Sequence, residues 1–568
     1  MTYIFNDPAE FADELTAGFA EAFHAWVVQV PGGVVRATKA PEGEVAVVTG
    51  GGSGHYPAFA GLVGPGLAHG AAMGNIFASP SAQQVYNVAK AAHNGGGVLF
   101  TYGNYAGDVL NFDQAQERLR AEGIPCETVV VTDDVASASP EEHEKRRGIA
   151  GDLVVFKAAA AAAEAGKPLD EVVRVAQSAN QATRSLGVAF TGCTLPGAEE
   201  PLFTVPEGRM GVGMGIHGEP GIDEQDIPSA EGLAELLVGR LLEERFDDRQ
   251  RAVVLLNGLG SVKYEELFVL YLAVSRRLKS AGIEIVQPDV GELVTSFQMA
   301  GVSLTLSWLD DELEDYWAAP VNTPAYRRGE RVLGEQRTQS DLDAALETTD
   351  SPGSDESQQV ARQVLRALEA VSAAIDENVD YLGELDAIAG DGDHGIGMQR
   401  GAHAAVEGAQ QAVENQAGAA ATLIAAADTW ADKAGGTSGA LWGLLLRKVG
   451  ESLDNETTPD LKGIAAGFAT GANAVQHSGG AELGDKTMVD ALRPYVESLE
   501  ESVRGEANIV EALENAATVA REAAHATSEL IPLKGRARPH AEKSVGSPDP
   551  GAISFALIAA TLAETAAL

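Results

Sequence analysis

Short apolar runs alternate with amphipathic stretches through the first part of the chain. Val45-Ala-Val-Val-Thr49, Val98-Leu-Phe-Thr101 and Thr128-Val-Val-Val-Thr132 have the length and β-branched content of strands. Between them, Ser81 to Ala92 and Phe112 to Ala121 carry helical spacing. Residues 1 to about 185 therefore predict an α/β unit with a mostly parallel sheet covered on both faces. Residues about 186 to 330 predict a second α/β unit. Its strands are Arg251 to Leu256, Ile283 to Val286 and Ser303 to Ser307, and its helices Glu231 to Glu244 and Val262 to Ala281. The Ala158 to Ala165 run predicts a short amphipathic helix. Residues 331 to 356 are polar, acidic and poor in large apolar groups, which predicts a linker. Beyond it the period is helical throughout. Val360, Val364, Leu365, Leu368, Val371 and Ile375 begin the pattern; Ala419 to Lys433, Leu461 to His477, Met488 to Val503 and Val510 to Leu530 continue it. Asp549 and Pro550 read as the cap and first residue of a last helix.

The 568 residues suggest two to four domains. Two cysteines, Cys126 and Cys193, support neither a disulfide framework nor a metal cluster, and fit a reducing cytosol. No secretion signal is expected at the N-terminus and no apolar run is long enough for a membrane span, so a cytoplasmic location is expected. With 82 acidic and 40 basic residues the formal charge is −42, which argues against nucleic acid as a partner. An anionic ligand would need metal ions, helix N-termini or a few placed cations.

Asp386 to Met398 reads Asp-Ala-Ile-Ala-Gly-Asp-Gly-Asp-His-Gly-Ile-Gly-Met. Each glycine costs about 1 kcal/mol in a helix interior, so the run predicts a turn that gathers Asp386, Asp391 and Asp393. Converging carboxylates suit a hard cation that leaves room for phosphate oxygens, and Mg²⁺ fits. A solvated acidic loop is the blander reading. Ala434-Gly-Gly-Thr-Ser-Gly439 lies between two helical patterns; its glycines and the following helix N-terminus suit an anion, with Thr437 and Ser438 as donors. An ordinary helix break would also explain it. Arg536 is a cation suited to phosphate.

These segments, with "GGTSGALWG", "GDKTM" and "GRARPHAEKSVGSPDPGA", resemble the nucleotide-binding L domain of dihydroxyacetone kinases. "GGGSGHYPAF" (50–59), "GNYAGDVLNF" (103–112) and "GIHGEPG" (215–221) resemble their K domain. The order is that of single-chain, ATP-dependent members and spans nearly the whole chain. The resemblance implies a ketose-binding region over 1–330, a linker over 331–356 and an all-α nucleotide-binding domain over 357–568, closed as an antiparallel helix barrel. It implies that Asp386, Asp391 and Asp393 hold two Mg²⁺ ions. Nucleotide contacts are implied for His394, Gly395, Ile396, Gly397, Thr437, Ser438, Gly479, Met488, Arg536 and Asp549, Pro550 and Gly551.

In similar proteins the histidine at the position of His217 adds to the ketone carbonyl as a hemiaminal. Asp108 is then the base, His55 assists, and Gly52, Ser53, Gly54 and Gly103 line the substrate. On residue type alone, His217 also reads as structural and Asp108 as a helix cap. The implied reaction is phosphoryl transfer from ATP to a terminal ketose hydroxyl, in a homodimer where one chain's L domain reaches the partner's K domain.

Two departures bear on substrate. Gly103 stands where many members have Lys, and Arg538-Pro-His540 stands where many have Ser-Tyr-Leu. Losing the lysine is expected to enlarge the pocket. Both departures resemble bacterial erythrulose kinases, so erythrulose is expected, D before L, with dihydroxyacetone as the near alternative. The resemblance also leaves room for a bound ADP recharged by a phosphoprotein, for an FAD-cyclising side activity and for a ketose-sensing coregulator.

Overall fold

A computed structural model of the chain describes residues 3–219, 221–245, 247–329, 352–388, 390, 392–434, 436–534 and 543–567. It divides into two compact units, Met1–Gly334 and Glu335–Leu568.

The first unit holds two sheets. Strands β1 (Val27–Val30), β2 (Gly33–Arg36), β3 (Ala46–Ser53), β4 (Gly70–Ile76), β5 (Val98–Gly103) and β6 (Cys126–Val131) form one, in the order β1-β2-β4-β3-β5-β6. β4, β3, β5 and β6 are parallel, as expected, while β1 and β2 add an antiparallel hairpin at the edge. Helices α1 (Phe11–Ala22), α2 (Ala82–Ala92), α3 (Ala106–Ala121), α4 (Asp152–Glu164) and α5 (Leu169–Gln181) accompany this sheet. Ser81 caps α2 through a capping box with Gln84, so the helix begins where the pattern placed it. By contrast α3 starts at Ala106, six residues before Phe112.

The second sheet is not mostly parallel, a direction the α/β pattern of this half leaves open. It contains β7 (Thr183–Ala189), β8 (Arg209–Val212), β9 (Asp223–Asp226), β10 (Arg251–Gly258), β11 (Glu284–Ile285), β12 (Asp289–Gly291) and β13 (Gly301–Trp308). Only β11 and β12 run parallel to β10; β10-β13, β13-β7, β7-β8 and β8-β9 are antiparallel. Its central strands β10, β13 and β7 are buried almost end to end, and such continuous apolar runs do not encode pairing direction. Helices α6 (Ala230–Glu243), α7 (Tyr264–Ser280) and α8 (Asp311–Ala318) belong to this half. The alanine run is not amphipathic either. Every residue of α4 from Asp152 to Ala163 is buried, because methyl side chains let neighbouring elements approach the helix from all sides.

The second unit is all helical: α9 (Asp355–Ala387), α10 (His394–Glu414), α11 (Ala419–Ala434), α12 (Gly436–Glu451), α13 (Leu461–Gly479), α14 (Val489–Arg504), α15 (Ile509–Ala526) and α16 (Pro550–Ala566). Successive helices pack on one another and α16 returns to pack on α9, which closes the ring. Ser354 caps α9, so Asp355 and Glu356 are helical rather than linker. Residues 330–351, most of the expected linker, lie outside the described residues. Asp549 caps α16 by accepting from Ala552 N at 2.7 Å, with Pro550 at the first position.

The acidic segment is only half a turn. Asp386 and Ala387 end α9, and the helix resumes at His394 despite Gly395 and Gly397. Packing explains it: a Cβ on Gly395 would lie 2.0 Å from the Val379 carbonyl oxygen and 3.0 Å from Gly383 N. The missing side chain brings α10 against α9, which offsets the local helix cost.

Candidate functional site

Two sites emerge, one in each unit. The first lies where the parallel strands β3 and β5 end. Because they are adjacent and parallel, the segments after Ser53 and after Gly103 emerge on the same edge, where α/β sheets place ligands. Gly54 has φ +111°, which only glycine adopts readily, and turns the chain so that His55 points inward. Gly52 lies against the Phe77 and Ala78 backbone, with 2.7 Å from its would-be Cβ to Ala78 N. The Ser53 hydroxyl is committed to the Gly74 carbonyl at 2.7 Å, and its own carbonyl accepts Phe77 N at 3.0 Å.

His217 arrives from the loop after β8. Gly215 leaves space for Glu219: a Cβ there would sit 2.1 Å from Glu219 Oε2. Glu219 folds back, accepting the His217 backbone N–H at 3.0 Å and facing His217 Nδ1 at 3.0 Å. Arg147 Nη1 stands 3.9 Å from Glu219 Oε2, the oxygen that takes the His217 N–H. His217 Nε2 lies 3.0 Å from His55 Nε2, and His55 Nδ1 lies 2.7 Å from the Thr295 carbonyl. Phe77 stacks on His55 at 4.9 Å, while Phe77 and Tyr105 present edges to His217 at 5.3 and 4.6 Å.

The protons can be placed by elimination. A carbonyl only accepts, so His55 Nδ1 carries the proton of that contact. Burial, and then the neighbouring His217, push His55 down to about 3, so the ring is neutral and its Nε2 is an acceptor. A hydrogen bond between the two rings therefore takes its proton from His217 Nε2.

Asp108 is in the first turn of α3, not at its cap; Tyr105 holds the cap position. Its carboxyl is buried, and burial pushes it up to about 6 against the lowering effects of Ser79 and His217. Asp108 Oδ1 has no hydrogen-bond partner among the described residues. Gly103 ends β5, but the space beside it is not widened. A Cβ there would meet the Gly148 carbonyl oxygen at 3.2 Å, Tyr105 at 3.3 Å and Asp152 Oδ2 at 3.4 Å. Sequence reasoning overlooked Glu219, Tyr105 and Phe77. Glu219 sits two residues after His217 in the same motif, and Tyr105 within the Asp108 motif; Phe77 carried no signal.

The second site lies at one end of the helical ring. Asp386 Oδ2 accepts Gly392 N at 2.9 Å, and His394 Nε2 meets Ser554 Oγ at 3.0 Å, joining the starts of α10 and α16. Gly397 approaches the end of α11, and Gly551 lies against buried Met488. Gly395 serves helix packing, and Ile396 is exposed. Thr437 and Ser438 occupy the first turn of α12, and Gly479 ends α13. A cavity of about 160 Å³ brings Asp386 and Gly390 to Lys486, Thr487, Asp549 and Pro550. Lys486 is buried and donates to the Ser544 carbonyl at 2.6 Å. Sequence reasoning overlooked it too, although it lies in the Gly484-Asp-Lys-Thr-Met488 motif of a cation-poor chain. Burial, reinforced by Asp490, pushes Asp549 up to about 7.

Asp386 and Asp393 supply hard carboxylate oxygens from the ends of one loop, a donor set that suits Mg²⁺. Asp391, Arg536 and Arg538-Pro-His540 lie outside the described residues. Among the described residues no three metal-ligating side chains cluster, and no helix is long and apolar enough to cross a membrane.

Comparison with known proteins identifies the family. Residues 17–325 match the Dak1 domain and residues 388–564 the DAK2 domain. The chain belongs to the dihydroxyacetone kinase family. Within this family it is 58% identical to an L-erythrulose kinase of Pectobacterium atrosepticum, over 98% of this chain and 95% of the other. It is 55% identical to a D-erythrulose kinase of Mycolicibacterium smegmatis, over 100% and 99%. The solved dihydroxyacetone kinase of C. freundii in complex with AMP-PNP and Mg²⁺ aligns with TM-score 0.59 at 29% identity, over 99% of each chain. The family supports the fold expected from the motifs, an α/β region followed by an all-α domain.

Proposed function

We propose that this protein is an ATP-dependent kinase that phosphorylates the terminal hydroxyl of a short-chain ketose held on His217. Erythrulose is the substrate, with D-erythrulose converted to D-erythrulose 4-phosphate. The observation that carries the reading is the His55–His217–Glu219 arrangement beside a buried Asp108 with one oxygen unpartnered among the described residues. The relatives named erythrulose kinases support a ketotetrose. In this reading residues 1–330 bind the ketose, 357–568 bind the nucleotide, and 331–356 join them. The protein works in the cytoplasm as a homodimer in which the two regions meet across chains.

The chain's residues account for each proton. His55 Nε2 takes the proton from His217 Nε2 and frees its lone pair. His217 Nε2 attacks the ketone carbon, forming a C–N bond as the C=O π pair moves to oxygen. His55 returns the proton to that oxygen, giving a neutral hydroxyl on a hemiaminal. The alkylated His217 ring keeps its Nδ1 proton and its positive charge, paired with Glu219. Phe77 and Tyr105 hold the ring edge-on, so the tethered hydroxyl is presented in few orientations. Asp108, ionised above pH about 6, accepts the proton of the terminal hydroxyl as its oxygen attacks the γ-phosphorus in line. The O–P bond to ADP breaks, and ADP leaves with that electron pair. Asp386, Asp391 and Asp393 would hold two Mg²⁺ ions, which when bound offset charge on the phosphates. Thr437, Ser438 and the starts of α10, α12 and α16 would donate to the nucleotide, with Lys486 as a nearby cation and Arg536 as the cation the motif implies.

A coupled ADP-release assay with ATP and Mg²⁺ tests the reading. The acceptors are D-erythrulose, L-erythrulose, dihydroxyacetone and glycerol, with His217→Ala as control. Higher kcat/KM for an erythrulose, silence with glycerol and loss of turnover in the variant are expected. Higher kcat/KM for dihydroxyacetone would replace the tetrose by a triose, and no turnover of any ketose would remove the kinase reading.

A further inference from the structure

The wall of the ketose pocket next to Gly103 holds more polar atoms than the reaction uses. Asp152, the first residue of α4, is completely buried, and its Oδ1 has no hydrogen-bond partner among the described residues. Tyr105 Oη is buried and equally without a partner. Both residues border Gly103: its would-be Cβ lies 3.4 Å from Asp152 Oδ2 and 3.3 Å from the Tyr105 ring, and a Cβ on Gly148 would lie 2.9 Å from Asp152 Oδ1 and 2.4 Å from Gly103 Cα. The same Tyr105 ring touches His217 at 4.6 Å. Tyr105 thus adjoins both Gly103, beside Asp152, and the histidine that holds the ketose. A buried oxygen without a partner is costly, so Asp152 Oδ1 and Tyr105 Oη, on two residues that border Gly103, suit an occupant that satisfies them.

The chemistry of Asp152 defines the occupant. Burial, then the charges of Asp133 and Asp108, push its carboxyl well above the usual carboxylate range. A neutral carboxyl both donates and accepts, and so does the Tyr105 hydroxyl. Such a pair suits an uncharged hydroxyl and rejects a second carboxylate or phosphate. Asp133 is otherwise engaged: it accepts Ile149 N and Gly151 N at 2.8 Å each. Asp108 is left for the hydroxyl that receives phosphate.

We infer that Asp152, with Tyr105, is a specificity-determining residue that binds the hydroxyl which a ketotetrose has and a ketotriose lacks. This rests on the ketose-kinase reading and extends it. The glycine at position 103 is then part of the same device, because any side chain there would enter the space between Asp152 and Tyr105.

Steady-state kcat/KM for erythrulose and for dihydroxyacetone tests it, in the full-length wild type and in Asp152→Ala, Asp152→Leu, Asp152→Asn and Tyr105→Phe. A site built to hydrogen-bond a substrate hydroxyl loses discrimination when its partner is removed. Asp152→Ala and Asp152→Leu are expected to lower the erythrulose value about 10- to 100-fold and the dihydroxyacetone value far less, so that the ratio falls at least about tenfold. Asp152→Asn, which keeps the shape and most of the hydrogen bonding, lowers the ratio less than the other two and is the variant to rely on if they do not fold. With that variant, removal of the carboxyl proton donor still lowers the ratio about threefold. An unchanged ratio in all variants, whether activity holds or falls equally for both ketoses, would overturn the inference while leaving the kinase reading intact. Wild type that turns over neither ketose would take down both.

Discussion

Removing the charge of Glu219 probes how the site holds His217. The carboxylate meets His217 twice, at the backbone N–H and at Nδ1, each at 3.0 Å. Burial alone would raise this carboxyl; the hydrogen bond and charge of His217 outweigh burial and bring it from 4.5 down to about 2. At about 1.4 kcal/mol per pKa this is about 3 kcal/mol of preference for the ionised pair. The side chain is 29% exposed, so solvent screening leaves about 2 kcal/mol. Glu219→Gln keeps an acceptor and loses the charge, and is expected to lower ketose kcat/KM about 10- to 30-fold. Glu219→Ala, which also frees the ring, is expected to lower it about 30- to 100-fold. The ADP-release assay reads both. The sign of the stability effect follows from a depressed carboxyl: its contribution is complete above about 4.5 and fades as the pH falls towards about 2. The stability gap between wild type and Glu219→Gln should close over that window. A Glu219→Ala enzyme within twofold of wild type would refute the electrostatic role.

Further perturbations follow from the same geometry. Because Asp108 must be ionised to accept a proton and is held up at about 6, kcat/KM should fall as the pH drops through about 6. Asp108→Asn should cost at least about 100-fold at neutral pH and erase that limb of the profile. Gly395→Ala should destabilise the helical unit by about 2 kcal/mol in denaturant unfolding, since its Cβ meets the Val379 carbonyl at 2.0 Å. Gly397→Ala, whose Cβ meets only Ala434 O at 3.5 Å among the described residues, should leave stability unchanged or raise it by up to about 1 kcal/mol, and should raise the ATP KM if the nucleotide approaches that backbone. Asp549→Ala removes the cap of α16 and should cost about 1 kcal/mol, read as a lower thermal midpoint.

The sequence was most legible where one local rule decides the outcome. β-branched runs placed the cores of β3, β5, β6, β10 and β13, and the Asp549-Pro550 pair placed the start of α16. Pairing direction was not legible, because residues such as Val253 to Leu256 are buried on both faces and suit either neighbour. The alanines of α4 misled for a related reason: their period says nothing about how many elements can close on a helix of methyl groups. At the candidate sites the glycine-rich motifs were readable, but their roles were not uniform. Gly54 turns the chain at positive φ, Gly215 makes room for Glu219, and Gly395 lets two helices touch. The aromatic setting of His217 was out of reach, since Phe77 and Tyr105 meet it only when loops more than 100 residues apart converge.

Everything proposed for the ketose site stands on a covalent sugar at His217 Nε2, and ¹³C NMR of the enzyme with erythrulose labelled at the carbonyl carbon reads that bond. The ketone resonance of the bound sugar should be replaced by that of a tetrahedral carbon, without ATP, and His217→Ala should leave no such bound species. A bound sugar whose carbon stays a ketone in the wild-type site, or a tetrahedral signal that survives in His217→Ala, would contradict it.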